Sequence, residues 1–335
     1  MTMYKSKKIL IIGGSGTIGQ YLVRRVLQEH PTVVRIFSRD EHKQFELQQE
    51  MYEHRNLRYL IGDVRDYQRV LRAMEGIDIV FHAAAMKHVP ACEYNPFEAV
   101  QTNVIGTQNV IQAAIQAGVK KVLFTSTDKA ISPTNTYGAT KLMAERLISA
   151  AEYQKGPKST IFSSVRFGNV MGSRGSVIPL FKKQILERHV VTVTSRNIQR
   201  YMMTPSQAIS LMLHANEVAQ GGEVFVLKMP IVRISDLVEV MIEEVSKKYN
   251  ITVPIQVQEI GLRPGEKMYE ELMTEDEQRH ALETPDMFII PSSFADQTRN
   301  YSEAKPSQSF VPSLFQEECI EKEVLRKWLL EENLI

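Results

Sequence analysis

Directly after an apolar run at residues 9–12 the chain reads Gly13-Gly14-Ser15-Gly16-Thr17-Ile18-Gly19, and a segment of helical period follows at once. Few short sequences restrict a fold as much. Glycines at 13, 16 and 19 let the backbone turn tightly out of a strand, let an anionic group approach it at a helix N-terminus, and let that helix pack closely on the strand. With a strand before and a helix after, the turn has the context of a dinucleotide cradle formed by Gly13, Ser15, Gly16, Thr17, Ile18 and Gly19. The helix it opens, 18–29, carries Leu22, Val23, Val26 and Leu27 on one face.

The alternation continues. Further β-rich apolar runs stand at 33–37, 57–61, 77–82, 122–125 and 163–167, with segments of helical period such as 103–117 between them. Strand and helix in turn predict βαβ units and an α/β fold with a doubly wound parallel sheet of the Rossmann type. Beyond Phe167 the pattern is irregular, punctuated by Gly172, Gly175 and Pro179, which predicts a smaller C-terminal substrate-binding region. Residues 204–218 read as a helix opened by an N-cap Thr204 with Pro205 at its first position, and 223–227 as another buried strand. Both are expected to return to the main sheet. The division is then 1–170 with 204–230 for the dinucleotide-binding domain, and 171–203 with 231–335 for the substrate region. The polar, Ser-rich stretch 291–312 predicts an extended tail or loop before a last helix over 324–330.

At 335 residues and 43% hydrophobic content the chain can fill a sizeable core. Forty basic against 39 acidic residues leave a net charge of +1, so no global field draws it to nucleic acid or to an anionic membrane. Cys92 and Cys319 are far apart, supply no metal cluster and require no disulfide, which fits a reducing compartment. No stretch of about 18 uninterrupted apolar residues occurs, so a cytoplasmic protein without a membrane span or metal site is expected.

An NAD-preferring site places a carboxylate at the tip of the second strand for the ribose hydroxyls. Here the tip reads Phe37-Ser38-Arg39-Asp40, which puts Ser38 and Arg39 where a 2′-phosphate lies. Lys43 joins Arg39 on one side if a helix begins at Ser38. NADP is the predicted cofactor. Asp63 and Val64, after the third strand, are placed to meet the adenine. Ala83, Ala84 and Ala85, after the fourth, are small enough to let the cofactor backbone pass.

Tyr137 and Lys141 are spaced to share a helix face. A phenol with a pKa of about 10 is a poor base at neutral pH, and a nearby ammonium together with an oxidised nicotinamide favours its phenolate. The pair follows the fifth strand and the run Thr125-Ser126-Thr127-Asp128-Lys129.

With the glycine turn, Asn103, Thr127 and Tyr137-x-x-x-Lys141 in this order, the chain resembles the extended short-chain dehydrogenase/reductase family. More narrowly it is similar to the UDP-N-acetylglucosamine 4,6-dehydratases of surface-glycan and flagellin-sugar pathways such as that of pseudaminic acid. The likeness is carried by Phe37–Asp40, Ala83–Pro96, Ser126–Ala130, Arg166–Val177 and Gly261–Lys267, within residues 8 to about 290.

The resemblance implies a chemistry. Tyr137 removes the sugar 4-hydroxyl proton, with Thr127 sharing the hydrogen bond, while C4 gives a hydride to NADP⁺ that later returns to C6. The C4 ketone acidifies C5. Lys129, as a neutral amine, takes the C5 proton and Asp128 protonates the departing 6-hydroxyl, on the expectation that neighbouring cations lower the Lys pKa and a less polar site raises that of Asp. For the UDP moiety the family implies Asn169, the loop around Val177, Arg200, Arg263 and Glu266, with arginine matching the diphosphate and the carboxylate taking ribose hydroxyls. Lys87 stands evenly between a substrate contact and a loop cap. His88 reads as structural, and Tyr94, Cys92, Met202 and Met203 as packing. Relatives form dimers or hexamers, which implies a homo-oligomer.

One segment departs from the family pattern. Thr194-Ser195-Arg196-Asn197-Ile198-Gln199-Arg200-Tyr201 keeps Arg200 but has Ser195 and Asn197 at an acidic and a basic position. It is expected near the sugar and diphosphate, so retention at C5, inversion at C5 and release of a 5,6-ene all stay open. A UDP-sugar C4 epimerase, which gives Lys129 no work, and a non-catalytic NADP-binding scaffold are the competing readings.

Overall fold

The computed structural model describes residues 3–292, 301, 303–307 and 319–335. Strands β1 (Lys8–Ile12), β2 (Val33–Ser38), β3 (Leu57–Ile61), β4 (Ile79–His82), β5 (Lys121–Thr125) and β6 (Ile161–Arg166) stand where the apolar runs predict them. Helices α1 (Thr17–Leu27), α2 (Glu41–Glu50), α3 (Tyr67–Met74), α4 (Val89–Tyr94), α5 (Pro96–Val100), α6 (Gly106–Ala117) and α7 (Thr136–Gln154) fill the connections. Between α5 and α6 the chain makes a π turn over Gln101–Ile105.

β7 (Asn169–Val170), α8 (Val177–Arg188), β8 (Val190–Val193) and β9 (Gln199–Met203) follow, then α9 (Pro205–Val218) and β10 (Val224–Leu227). The chain ends through β11 (Ile231–Arg233), α10 (Ile234–Tyr249), β12 (Gln256–Glu259), α11 (Glu275–His280), β13 (Leu282–Glu283), β14 (Met287–Ile290), β15 (Lys305–Pro306) and α12 (Lys322–Glu331).

The main sheet runs β15-β13-β14-β10-β6-β5-β4-β1-β2-β3. From β3 to β10 every pair is parallel, with the order reversing beside β1, the switch point where α/β sheets bind ligands outside the carboxyl ends of their strands. Alternation within one strand divides the core: Ile9 and Ile11 join Leu22, Val23, Ile209 and Met212 of α1 and α9, whereas Leu10 and Ile12 join Val70, Val110 and Ile148 of α3, α6 and α7. Both faces are thus covered. The Thr204 cap is present as a reciprocal capping box with Gln207, and β10 returns to the sheet.

A smaller body gathers Phe181, Ile185, Leu237, Met241, Leu325 and Leu329 of α8, α10 and α12 over the β8–β12 pair. The expectation that all of 231–335 belongs with it needs correction. β14 pairs antiparallel with β10, and β13 and β15 extend the same sheet, so this part of the chain finishes the dinucleotide-binding layer. The expected tail at 291–312 falls largely outside the described residues. Among the described residues no helix is long and apolar enough to cross a membrane.

Candidate active site

The glycine turn is built as its spacing requires. Gly13 has φ +83°, and a Cβ on Gly19 would stand 2.3 Å from the Gly13 carbonyl oxygen, so α1 sits directly on the turn. A cavity of about 260 Å³ opens here, lined by Gly13, Ser15, Gly16, Ser38, Arg39, Lys43, Val64 and Ala83–Ala85. These residues fit a dinucleotide. Thr17, Gly19, Asp63 and Asn103 lie outside the wall: Thr17 accepts from the Arg174 amide, Asp63 pairs with Arg65 at 2.7 Å, and buried Asn103 ties Met86 to Thr140.

The tip of β2 differs in one respect from expectation. The helix begins at Glu41, not Ser38, because Asp40 caps it by accepting from the Lys43 amide at 3.0 Å. The other oxygen of Asp40 takes the Lys43 ammonium, so this cation reaches the cavity already paired. Arg39 is more open, 3.6 Å from Asp63 with 55% of its side chain exposed. The Ser38 hydroxyl accepts from Ser15 and from Gln44.

A larger cavity of about 420 Å³ adjoins the first and shares Ala83 and Ala85 with it. Its wall brings together Ile18, Thr127, Lys129, Tyr137 and Lys141 with Lys87, Asn169, Val177, Arg200, Arg263 and Glu266. Residues from six separate stretches of sequence therefore meet in one space. Asn135 caps α7 by accepting from Gly138 at 2.9 Å, and its amide donates to the Gly265 carbonyl at 3.1 Å. The helix carrying Tyr137 and Lys141 is thereby fastened to the loop carrying Arg263 and Glu266. Lys267 adds a bond to the Ile131 carbonyl at 2.9 Å.

Arg200 is buried and donates to the carbonyls of Gln199, Met268 and Lys267, which leaves its guanidinium 3.4 Å from Glu266. The altered segment at 195 and 197 does not line either cavity: Ser195 accepts from the Asn197 amide on the outer side of the loop. The departure from the family pattern therefore stands behind the cavity wall, one residue from Thr194, which bonds Glu266 at 3.4 Å.

The reactive groups depart from expectation in three ways. Burial is the largest influence on Lys141 and pushes its ammonium down to about 7; the amine donates to the Thr125 carbonyl and lies 3.9 Å over the Phe124 ring. Burial likewise pushes the Tyr137 phenol up to about 12, against the opposing pull of the Thr127 hydroxyl and the charge of Lys129. The positive charge that acts most strongly on the phenol is that of Lys129.

Second, Lys129 is not a neutral amine in this state. Burial alone would lower its pKa, but Asp128 at 3.0 Å and Glu270 at 3.4 Å prevail and hold the ammonium above its ordinary value. Third, Asp128 has no exposed surface and does not line the cavity. Its Oδ1 accepts from Thr127 at 2.9 Å and from Lys129, so the carboxylate positions these two groups from behind the cavity wall.

Glu270 does line the cavity, and sequence reasoning missed it. It stands in the run Tyr269-Glu270-Glu271 on a loop without periodicity, and nothing local separates it from the next glutamate. Lys87 and His88 also line the cavity, with the His88 ring packed against Gly175, where a Cβ would meet it at 2.1 Å. Cys92 and Met203 are buried as expected, Met202 is buried and touches the cavity, but Tyr94 is 89% exposed and packs against little.

A family model described as polysaccharide biosynthesis protein matches residues 9–292. The crystal structure of Pen from Bacillus thuringiensis superposes with a TM-score of 0.93 at 58% identity, covering 100% of both chains. An uncharacterized membrane protein of Methanocaldococcus jannaschii is 50% identical over 298 residues, 89% of each chain. The inverting UDP-N-acetylglucosamine 4,6-dehydratase of Campylobacter jejuni is 41% identical over 304 residues, 90% of this chain and 88% of that one. A UDP-glucose 4-epimerase of Rickettsia conorii is 40% identical over 298 residues, 88% and 85%.

Proposed function

The chain belongs to the polysaccharide biosynthesis protein family of extended short-chain dehydrogenases/reductases, and from that premise we propose that it is an NADP-dependent UDP-N-acetylglucosamine 4,6-dehydratase. The observation that carries the reading is the meeting of Thr127, Lys129 and Tyr137 in one cavity with Arg200, Arg263 and Glu266. The first group suits an alcohol that is oxidised and then loses an α-proton; the second suits a diphosphate and a ribose.

When bound in the glycine cradle, the nicotinamide cofactor supplies the hydride acceptor and donor for C4 and C6. The protein's groups do the rest. Tyr137 accepts the proton of the 4-hydroxyl, and its hydrogen bond with Thr127 orients it. Arg39, beside Ser38, gives the 2′-phosphate of NADP a guanidinium with free donors. Asp128 fixes Thr127 and Lys129 side by side, and Asn169 accepts a third contact from the Lys129 ammonium at 3.4 Å. Lys129 faces C5 and has to lose its proton before it can take another.

A C4 epimerase is the second reading, favoured by the name of the Rickettsia relative. It needs Tyr137 and Lys141 and leaves Lys129 and its two carboxylates without a task. Incubation with UDP-N-acetylglucosamine in deuterated water separates the two. A product with a C6 methyl and deuterium at C5 supports the dehydratase, and the configuration at C5 then separates retention from inversion. An accumulating 5,6-ene would mark release before C6 is reduced; a 4-epimer without deuterium would support the epimerase. Unchanged substrate with bound NADP would overturn catalysis altogether. The reading also carries a cytoplasmic homo-oligomer, supported by Tyr94 and Phe97, which expose apolar surface on α4 and α5.

A further inference from the structure

Lys129 is held by two carboxylates that differ in what they can reach. Asp128 is completely buried, and its second oxygen has no hydrogen-bond partner and lies near Gly168, where a Cβ would stand 3.1 Å away. Glu270 has 5% of its side chain exposed, and that surface faces the cavity, with Oε1 3.4 Å from the Lys129 ammonium. Among the described residues the cavity wall holds two carboxyl groups, those of Glu266 and Glu270. Glu266 is engaged by Arg200, Thr194 and the Arg263 amide, which leaves Glu270 as the carboxyl placed beside Lys129.

Resting on the dehydratase reading, we propose that Glu270 is the general acid that protonates the departing 6-hydroxyl, and that its ion pair with Lys129 is the resting form of the acid and base. Starting from the C4 ketone, one proton passes from the Lys129 ammonium to the Glu270 carboxylate. The result is a neutral amine and a carboxylic acid. The amine takes the C5 proton, the C5–H electron pair forms the C5–C6 double bond, and the C6–O bond breaks. Glu270 gives its proton to that oxygen, which leaves as water. Lys129 is again an ammonium and Glu270 a carboxylate, so the elimination restores the pair without a proton from outside.

Burial lessens the cost of this exchange. Burial already holds the Glu270 carboxyl above the ordinary carboxylate range despite the charges of Lys129, Arg200 and Lys267, and Asp128 adds to the rise. A sugar that displaces water from the cavity makes the ion pair costlier still relative to two neutral groups. The arrangement also resolves how Lys129, charged when the site is at rest, becomes a base.

The test uses the full chain and two substrates, UDP-N-acetylglucosamine and its 6-chloro-6-deoxy analogue, whose chloride leaves without being protonated. Glu270→Gln is expected to lose at least about 100-fold in rate on the hydroxyl substrate. On the chloro analogue, where Glu270 serves only to take the Lys129 proton and not to protonate a leaving group, the loss should be at least about 10-fold smaller. Calorimetric binding of UDP should be unchanged, which shows that the fold and the nucleotide grip are intact. A wild-type rate on the hydroxyl substrate, or equal losses on both, overturns the proposal. If the Gln variant does not bind UDP, Glu270→Asp is read in the same comparison. Should the unsubstituted protein be inert toward both sugars, the dehydratase reading itself fails, and that result is distinct from any of these.

Discussion

The α-carbon of Gly138 lies so close to the backbone of Lys129 that a Cβ on it would stand 2.1 Å from the Lys129 carbonyl oxygen. The first turn of α7, with Tyr137, is thus pressed onto the short 3₁₀ turn Asp128–Ala130. Gly138→Ala should force the two apart at a cost of about 1–3 kcal/mol of stability, the usual range for overpacking. Activity should fall further than stability explains, because Tyr137 and Lys129 no longer share one substrate position. Urea unfolding alongside steady-state rates checks this; wild-type values for both would show that the contact relaxes freely.

Lys141 makes stability depend on pH in an unusual direction. Its folded pKa of about 7 lies below the ordinary value of 10.5, so between these limits the unfolded chain binds the extra proton. Stability therefore rises as pH increases through that window, and the cost of the buried ammonium is present in full only below about 7. At about 1.4 kcal/mol per unit the contribution is a few kcal/mol. Lys141→Met should flatten the difference between unfolding free energies measured at pH 7 and pH 9. An unchanged difference would place its origin elsewhere.

Arg166 has no exposed side chain and binds Glu145 at 2.6 Å and Glu277 at 3.0 Å, while also donating to the Leu272 carbonyl. These contacts join β6, the helix of Tyr137 and the segment that runs from Leu272 into α11. Arg166→Met strands two buried carboxylates and should cost about 3–5 kcal/mol. Adding Glu145→Gln and Glu277→Gln should recover a large part of that loss, a result that thermal unfolding of the three-site variant would read directly. No recovery would mean that the arginine acts through its packing alone.

Removal of the Arg39 guanidinium should weaken NADP binding by about 10- to 100-fold, the equivalent of one charge-assisted contact, with NAD affinity nearly unchanged. Lys43→Ala should do less, since its ammonium is already taken by Asp40. Titration of both cofactors by fluorescence distinguishes the two variants; equal losses for NADP and NAD would remove Arg39 from the role of selecting between them.

Much of this molecule is legible before any coordinates. The inner parallel strands announce themselves because strands buried on both faces must be short, apolar and β-branched, and the glycine turn fixes which end of the sheet binds ligand. The strands β13 and β15 are two residues long and owe their existence to pairing partners, so no local pattern marks them. The site is harder. Asp128 and Lys129 are neighbours in sequence, yet one side chain turns into the interior and the other into the cavity, and adjacency cannot say which. The charge on Lys129 depends on Glu270, a residue brought in by tertiary structure, which is why a lowered pKa looked reasonable from the sequence and is not what the fold produces.

Asp40 holds two tasks at the rim of the dinucleotide cavity, ending the extended backbone of β2 by starting α2 and neutralising Lys43. A redesign that exchanges charges here to change the cofactor would remove a helix start in the same stroke. Cofactor preference and the integrity of the second βα unit are therefore inherited together, and variants that switch one without a substitute cap at position 40 should be rare among survivors of selection.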